Sequence, residues 1–360
     1  MEPRFATPAD DAELRRLARE IPMVGPLTYT LEREPDFFAF ARLQGDEPHT
    51  MVIDAPGGGI VAMGSGIIAA RRIGGRRHRV LYVSDLKVSP PHRKQGLAAQ
   101  LRAAAVARLD EYGIELSYGL VLGGNRAIEA MIERTRPPFR MRKLGTVRSH
   151  SFFLGGAPGP APEGASVRSA TPADIEEMVA LWRVVHAKRD LAPDFPDAQS
   201  LLARLGLPGG MRLEDFLLVH RGGRLTAFAA VWDPVGARQV RVLSARGALA
   251  AMRFLYNPLA ALLRRPRMPA DGQLLRSLYL SYLCAEAPAD LRALLLRAKE
   301  EHRRSGHLLL EAALDRRDPL WPALESGVAT RVDYNLVELG REGDATPSCE
   351  QPLYLDLALA

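Results

Sequence analysis

The residues best arranged to do chemistry lie in one run, Val88-Ser89-Pro90-Pro91-His92-Arg93-Lys94-Gln95-Gly96-Leu97-Ala98. A strand-like apolar segment precedes it, and a long Ala/Leu helical pattern follows. Pro90 and Pro91 stop the strand, because proline cannot continue its hydrogen-bond ladder. The helix then begins with free backbone N–H groups and the positive end of its dipole. Gly96 and Ala98 keep bulk away from that backbone, while Arg93 and Lys94 add positive charge. Such a turn suits a pyrophosphate. It contains neither GxxxxGK[ST] nor GxGxxG, so it is neither a Walker loop nor a dinucleotide fingerprint.

The run Arg93-Lys94-Gln95-Gly96-Leu97-Ala98 resembles the (Arg/Gln)-x-x-Gly-x-(Gly/Ala) acetyl-CoA motif of the GNAT acyltransferase superfamily. The likeness extends to the Leu-x-Val-x-Pro strand ending from Leu86 to Pro90 and to the following Leu101. It implies an opening between the strand ending near Val88 and the next one. The pantetheine arm of acetyl-CoA would pair there with the backbone of Leu86, Lys87 and Val88. The pyrophosphate would sit on the N–H groups of Arg93, Lys94, Gln95, Gly96, Leu97 and Ala98. Asn125 matches a position whose side chain contacts the cofactor arm in this superfamily; the alternative is that it only caps its helix.

The implied reaction is direct attack of an amine on the thioester, with a route for the amine's proton and an acid for the sulfur. Many members place a Tyr six or seven residues after the Asn; here those positions hold Met131 and Ile132. Tyr118 is the substitute acid if it faces the cleft, and Asp85 is a candidate base, directly or through water. Asp85 could equally belong to a structural network. Glu32 and Arg33 lie where this fold places its acceptor-side loop and could bind a charged substrate group. An exposed ion pair beside the core anchor Phe37-Phe38 is the competing reading. The expected acceptor is a small-molecule amine; a protein or peptide acceptor, and a non-catalytic acyl-CoA-binding role, are the alternatives.

The surrounding pattern supplies elements to hold this loop. Strands are expected at 3–6, 49–54, 60–70, 79–88 and 114–121, with further strands at 139–145 and 147–154. Helices are expected at 9–20, 95–111 and 125–134, and the stretch up to about 48 reads as loop-rich. The segment Arg4-Phe5-Ala6-Thr7-Pro8-Ala9-Asp10 returns as Arg168-Ser169-Ala170-Thr171-Pro172-Ala173-Asp174, followed by a helical pattern at 173–187. Leu81-Tyr82-Val83-Ser84-Asp85-Leu86 is echoed by Leu278-Tyr279-Leu280-Ser281-Tyr282-Leu283. Two echoes in one order indicate duplication. The fold class is therefore α/β (mixed α+β), with two tandem GNAT-like domains, each a twisted mixed sheet flanked by helices. The domains span 1–154 and 166–360, and a Gly/Pro-rich linker covers 155–165.

Opposite the loop, the second half carries Glu286-Ala287-Pro288-Ala289-Asp290-Leu291: the glycine is gone and acids replace bases. This half reads as degenerate. It contains an arginine-rich insertion at about 237–273, and Leu353–Ala358 alternates like a last strand.

Bulk composition fits this reading. The 360 residues are 47% hydrophobic and 25% charged, ordinary for globular domains. The net charge of +6 is carried largely by arginine, and suits a polyanionic cofactor as well as nucleic acid. Arg71-Arg72, Arg76-Arg77 and Arg264-Arg265 read as solvated surface. Two cysteines make no disulfide framework, and no HExxH or paired CxxC calls for a metal. His92 reads as solvent-facing or touching phosphate, and the three tryptophans as core or interface. Neither a signal sequence nor a spanning segment is expected, so the chain is expected to be cytoplasmic, without membrane or nucleic-acid partners, as monomer or homodimer.

Overall fold

A computed structural model describes residues 2–155, 164–325 and 328–360. The first half runs β1 (Arg4–Phe5), α1 (Asp11–Glu20), β2 (Leu27–Glu32), α2 (Phe37–Gln44), β3 (Glu47–Asp54) and β4 (Ile60–Ile73). It continues β5 (Arg76–Val88), α3 (Leu97–Val106), β6 (Leu116–Leu122), α4 (Arg126–Arg134) and β7 (Phe139–Phe153). The second half begins β8 (Ser166–Ser169), α5 (Ile175–His186), β9 (Ala192–Pro193), α6 (Ala198–Leu202), β10 (Phe216–Arg221) and β11 (Arg224–Trp232). It ends β12 (Gln239–Ala245), α7 (Ala248–Leu262), β13 (Ser277–Ala285), α8 (Pro288–His302), β14 (Leu309–Asp315), α9 (Trp321–Glu325) and β15 (Ala329–Arg341).

The two Thr-Pro-Ala-Asp segments build the same object twice. Asp10 accepts the Thr7 N–H at 2.7 Å and pairs with Arg4, while Asp174 accepts the Thr171 N–H at 2.8 Å and pairs with Arg168. Each acid thereby satisfies an orphan donor at a helix start. Spacing then decides the buried faces. Leu14, Leu17 and Ala18 of α1 pack on Val52, Ile60 and Met63, and Met178, Val179 and Trp182 of α5 join the core of the other half.

The halves share one 13-stranded sheet, ordered β1-β3-β4-β5-β6-β15-β7-β14-β13-β11-β10-β8, with β9 pairing β4. The order is nearly palindromic, and the halves exchange their last strands. β15 of the second half pairs β6 of the first, and β7 of the first pairs β14 of the second. The duplicated fold is therefore closed by reciprocal strands rather than by two independent sheets.

Several expectations are corrected. The stretch before residue 48 is not loop-rich: it holds β2 and α2, and β2 is a strand because the distant β12 pairs with it from Gln239↔Glu32 to Ala245↔Leu27. The two strands expected at 139–145 and 147–154 are one continuous β7. Gly145 is not a break; a Cβ there would lie 2.6 Å from Leu353 Cδ1, so the glycine admits close packing. Leu353–Ala358 is not a strand. Leu353 is buried across the sheet face and residues Leu357–Leu359 form a short 3-10 helix. Most of the 155–165 linker lies outside the described residues.

Candidate active site

β5 and β6 run parallel only from Val80↔Leu116 to Val83↔Gly119. Beyond that point β5 stays with β4, whereas β6 turns to β15, and the sheet opens into a V. The cause is local. The β4–β5 register shifts between Met63 and Ser65, and Asp85 has a φ of 49°, so β5 bulges away where the opening starts.

The loop 89–96 sits at the mouth. Lys94 and Gly96 both have positive φ, 64° and 78°. Together they turn the chain so that the helix start faces outward. A Cβ on Gly96 would meet nothing within 4 Å, so the backbone conformation and an open approach account for glycine there, not crowding. Among the described residues, the N–H groups of Lys94 to Ala99 have no backbone partner; the first is Gln100, which donates to Gly96 O at 3.0 Å. Leu97 and Leu101 anchor α3 on Met51, Ile53, Val61 and Ala62, which fixes where those donors point. The Arg93 and Lys94 side chains are exposed.

Beneath the loop lies a mainly apolar cavity of about 520 Å³. It runs from His92, Gly96 and Ala98 along α3 to Leu109, Tyr112 and Ile114, over a floor of Gly64, Gly66 and Leu81. Leu86, Val88 and Met131 line it as well. His92 Nδ1 is buried there without a hydrogen-bond partner among the described residues. The ring is thus only half-exposed, and it faces the cavity rather than solvent.

A V-shaped splay with a donor-rich turn at its mouth invites comparison with known proteins. Residues 13–134 match the acetyltransferase (GNAT) family. No curated protein sequence matches the chain. The fold, by contrast, is shared along almost the whole length. It is similar to *Saccharomyces cerevisiae* N-myristoyltransferase with bound myristoyl-CoA: 13% identity, TM-score 0.63, covering 96% of this chain and 84% of that one. A GCN5-related N-acetyltransferase from *Sphaerobacter thermophilus* gives 12% identity and TM-score 0.57 over 94% of this chain and 95% of that one. A probable N-acyltransferase from *Enterococcus faecalis* gives 9% identity and TM-score 0.51, covering 94% and 72%. The two-domain GNAT-like arrangement expected from the repeats is the fold observed.

Within the segment that matches this family, Asn125 stands at the start of α4, its carbonyl accepting the Glu129 N–H at 3.0 Å. Asp85 and Arg33 come together: Arg33 Nη2 reaches both carboxylate oxygens, at 3.2 and 3.0 Å. Arg33 is 5% exposed, with its guanidinium 4.5 Å above the Phe40 ring. Burial pushes the Asp85 carboxyl up, but Arg33 and Lys87 outweigh it and hold it below the usual range. Burial likewise lowers the Lys87 ammonium, which donates to Ala18 O at 3.1 Å.

Glu32 does not pair with Arg33. It is 3% exposed and takes Arg241 of β12 at 2.8 and 3.0 Å, so the exposed Glu32–Arg33 pair is not what forms. Tyr118 lies on the face opposite the α3 cavity, 5.4 Å from the Tyr82 ring, and lines a second cavity of about 230 Å³ between the halves.

Sequence reasoning missed the groups that the second half contributes. Arg238 lies over Phe40 and Tyr279, at 5.1 and 5.4 Å; burial raises the pKa values of Tyr29, Tyr334 and Glu311, and the Arg238 charge opposes that rise. Glu311 of β14 is buried and accepts the Ser151 hydroxyl at 2.7 Å. Burial raises its carboxyl to about 7, against the opposing pull of Ser151 and Arg238. Ser84, beside the bulge, has a buried hydroxyl without a partner among the described residues. A lone Glu in the strand 309–315 was the available signal, but its hydrogen-bond partner Ser151 comes from β7, 160 residues away.

The second half repeats the bulge and closes it. Tyr282 has the same φ, 49°, as Asp85. Here the Asp356 carboxylate accepts the Tyr282 N–H at 2.9 Å, the Ser281 hydroxyl at 3.1 Å and the Ala358 N–H at 3.1 Å. Glu286 is paired to Arg224, and Asp290 in the first turn of α8 to Arg221.

Proposed function

We propose that the chain is a CoA-dependent N-acyltransferase that binds its thioester donor in the first half and transfers the acyl group to a primary amine. The observation that carries this reading is the turn into α3: among the described residues, the six N–H groups of Lys94 to Ala99 have no backbone partner at the mouth of the β5–β6 opening. The Arg93 N–H is taken by Pro90 O at 3.3 Å, so in this reading the N–H groups of Lys94 to Ala98 and the Arg93 side chain hold the pyrophosphate, and Leu86 to Val88 and Asn125 hold the pantetheine arm. Bound acyl-CoA would supply the activated thioester carbonyl. Residues 1–154 and 166–360 are the duplicated units, and the second encloses the acceptor.

A primary amine arrives as an ammonium and must lose a proton before it attacks. Asp85, held low by Arg33, is a weak proton acceptor and acts as the anion that fixes Arg33 at the opening. Glu311, near 7, is basic enough to take the proton at neutral pH. Met131 supplies no proton to the leaving thiolate, and Tyr118, the candidate donor, lines the cavity between the halves and would have to reach the sulfur from that side.

Acetyl-CoA, with a small-molecule amine as acceptor, is the pair the loop motif implies. One observation favours a longer acyl group: the apolar cavity along α3 reaches Tyr112 and Ile114, well past the loop. A donor series from acetyl-CoA to long-chain acyl-CoA, assayed by thiol release against a panel of amines and short peptides, tests both readings. Turnover highest with acetyl-CoA supports the first, and turnover rising with chain length supports the second. CoA binding without thiol release from any donor would overturn catalysis and leave an acyl-CoA-binding protein.

A further inference from the structure

The insertion between β11 and β13 carries a helix turned inside out. Helix α7 directs its polar side chains at its own protein. Tyr256 OH donates to Pro266 O at 2.8 Å, and Asn257 exchanges two bonds of 2.9 Å with the backbone of Met268. Arg253 reaches Asp271 at 2.7 Å. The opposite arc is apolar and faces outward: Met252 is 51% exposed, Phe254 78%, Leu255 72%, Leu259 52%, Leu262 80% and Leu263 49%. Of the whole helix only Ala260 is buried. A helix facing water alone would be expected to show the reverse pattern.

Charge says what covers this face. Residues 234–270 contain no Asp or Glu. Arg246, Arg264, Arg265 and Arg267 flank the apolar arc, and among the described residues none of the four is in an ion pair. A second copy meeting this patch about a two-fold axis would set arginine against arginine, which disfavours self-association. An apolar stripe with an arginine border instead matches an anionic bilayer surface, with acyl chains for the stripe and phosphates for the border.

We propose that α7 docks the protein on anionic phospholipid membranes, lying in the interface rather than crossing it. No helix of the described residues is long and apolar enough to cross a membrane. This revises the expectation of no membrane partner. The docking helix follows β12, which pairs β2 and binds Glu32 through Arg241. The strand that leads to Arg33 is thereby tied to the lipid-facing insertion, so a donor or acceptor drawn from the bilayer would arrive beside the acceptor side.

The test is flotation of the full chain with vesicles of phosphatidylcholine alone and of phosphatidylcholine mixed with phosphatidylglycerol. The expected result is binding at least roughly tenfold stronger to the mixed vesicles, weakened by salt and lost in the double variant Leu255→Glu, Leu259→Glu. Both side chains are exposed, so an unchanged thermal midpoint would show that the variant is folded. Equal recovery on neutral and anionic vesicles, undiminished binding by the folded variant, or a wild-type dimer that the same substitutions dissociate would each overturn the proposal. The readout is binding, so it stands apart from the acyl-transfer reading.

Discussion

The two halves carry the same strands, the same helix starts, the same bulge and the same short parallel pairing before the sheet splays, yet only the first sets a basic, glycine-containing turn at that splay. In the first half the bulge residue is Asp85 and the turn after it is basic, glycine-containing and rich in free N–H groups. In the second the bulge residue is Tyr282, its N–H is capped by Asp356, and the turn is acidic and paired to arginines. A backbone frame alone therefore does not make a cofactor site. What distinguishes the halves is the charge of the turn at the helix start and whether a carboxylate of the chain itself already caps the bulge.

The largest expected break in this contrast is Gly96→Glu. It places a carboxylate at the helix start and imposes positive φ on a residue with a Cβ, and should lower kcat/KM by roughly 100-fold or more. Glu286→Ala, in the corresponding turn of the second half, should leave steady-state kinetics unchanged. Next comes Asp356→Ala, which leaves three donors unsatisfied. Urea unfolding should report a loss of about 2–3 kcal/mol, while CoA affinity in the first half is retained. Retained stability would mean that the second opening is not held closed by this carboxylate.

Glu311→Gln sharpens the contrast through pH. The folded carboxyl titrates at about 7, above its ordinary 4.5, so its stabilising contribution is complete below 4.5 and is lost as pH rises through 7. The wild type should lose stability over that window and the Gln variant should lose less. In turnover the sign is opposite: wild-type kcat should rise through the same window as the base ionises, and the variant should lack that limb. The smallest effects are expected at the duplicated caps, where Asp10→Ala and Asp174→Ala should each cost about 1 kcal/mol by thermal unfolding.

How much of this was readable from the sequence follows the range of the interactions. The loop, β5, α3 and the twin caps depend on residues a few positions apart, and their patterns are local. Asp85 stood out as a lone acid in an apolar strand, but its partner Arg33 lies 52 residues away and was legible only as a candidate. β2 was hidden because the strand that pairs it, β12, lies in an insertion some 200 residues later. The exchange of β7 and β15 was equally invisible: each alternates as any terminal strand does, and nothing in the alternation names the neighbour. Leu353–Ala358 misled for a related reason. Its apolar residues fill a sheet face across Gly145 rather than an edge.

The central claim is that one chain holds one CoA, in the first half. Calorimetric titration of acetyl-CoA into the wild type and Gly96→Glu tests it most directly. We expect one binding event per chain, absent from the variant. Two events in the wild type, or one that survives Gly96→Glu unchanged, would contradict it.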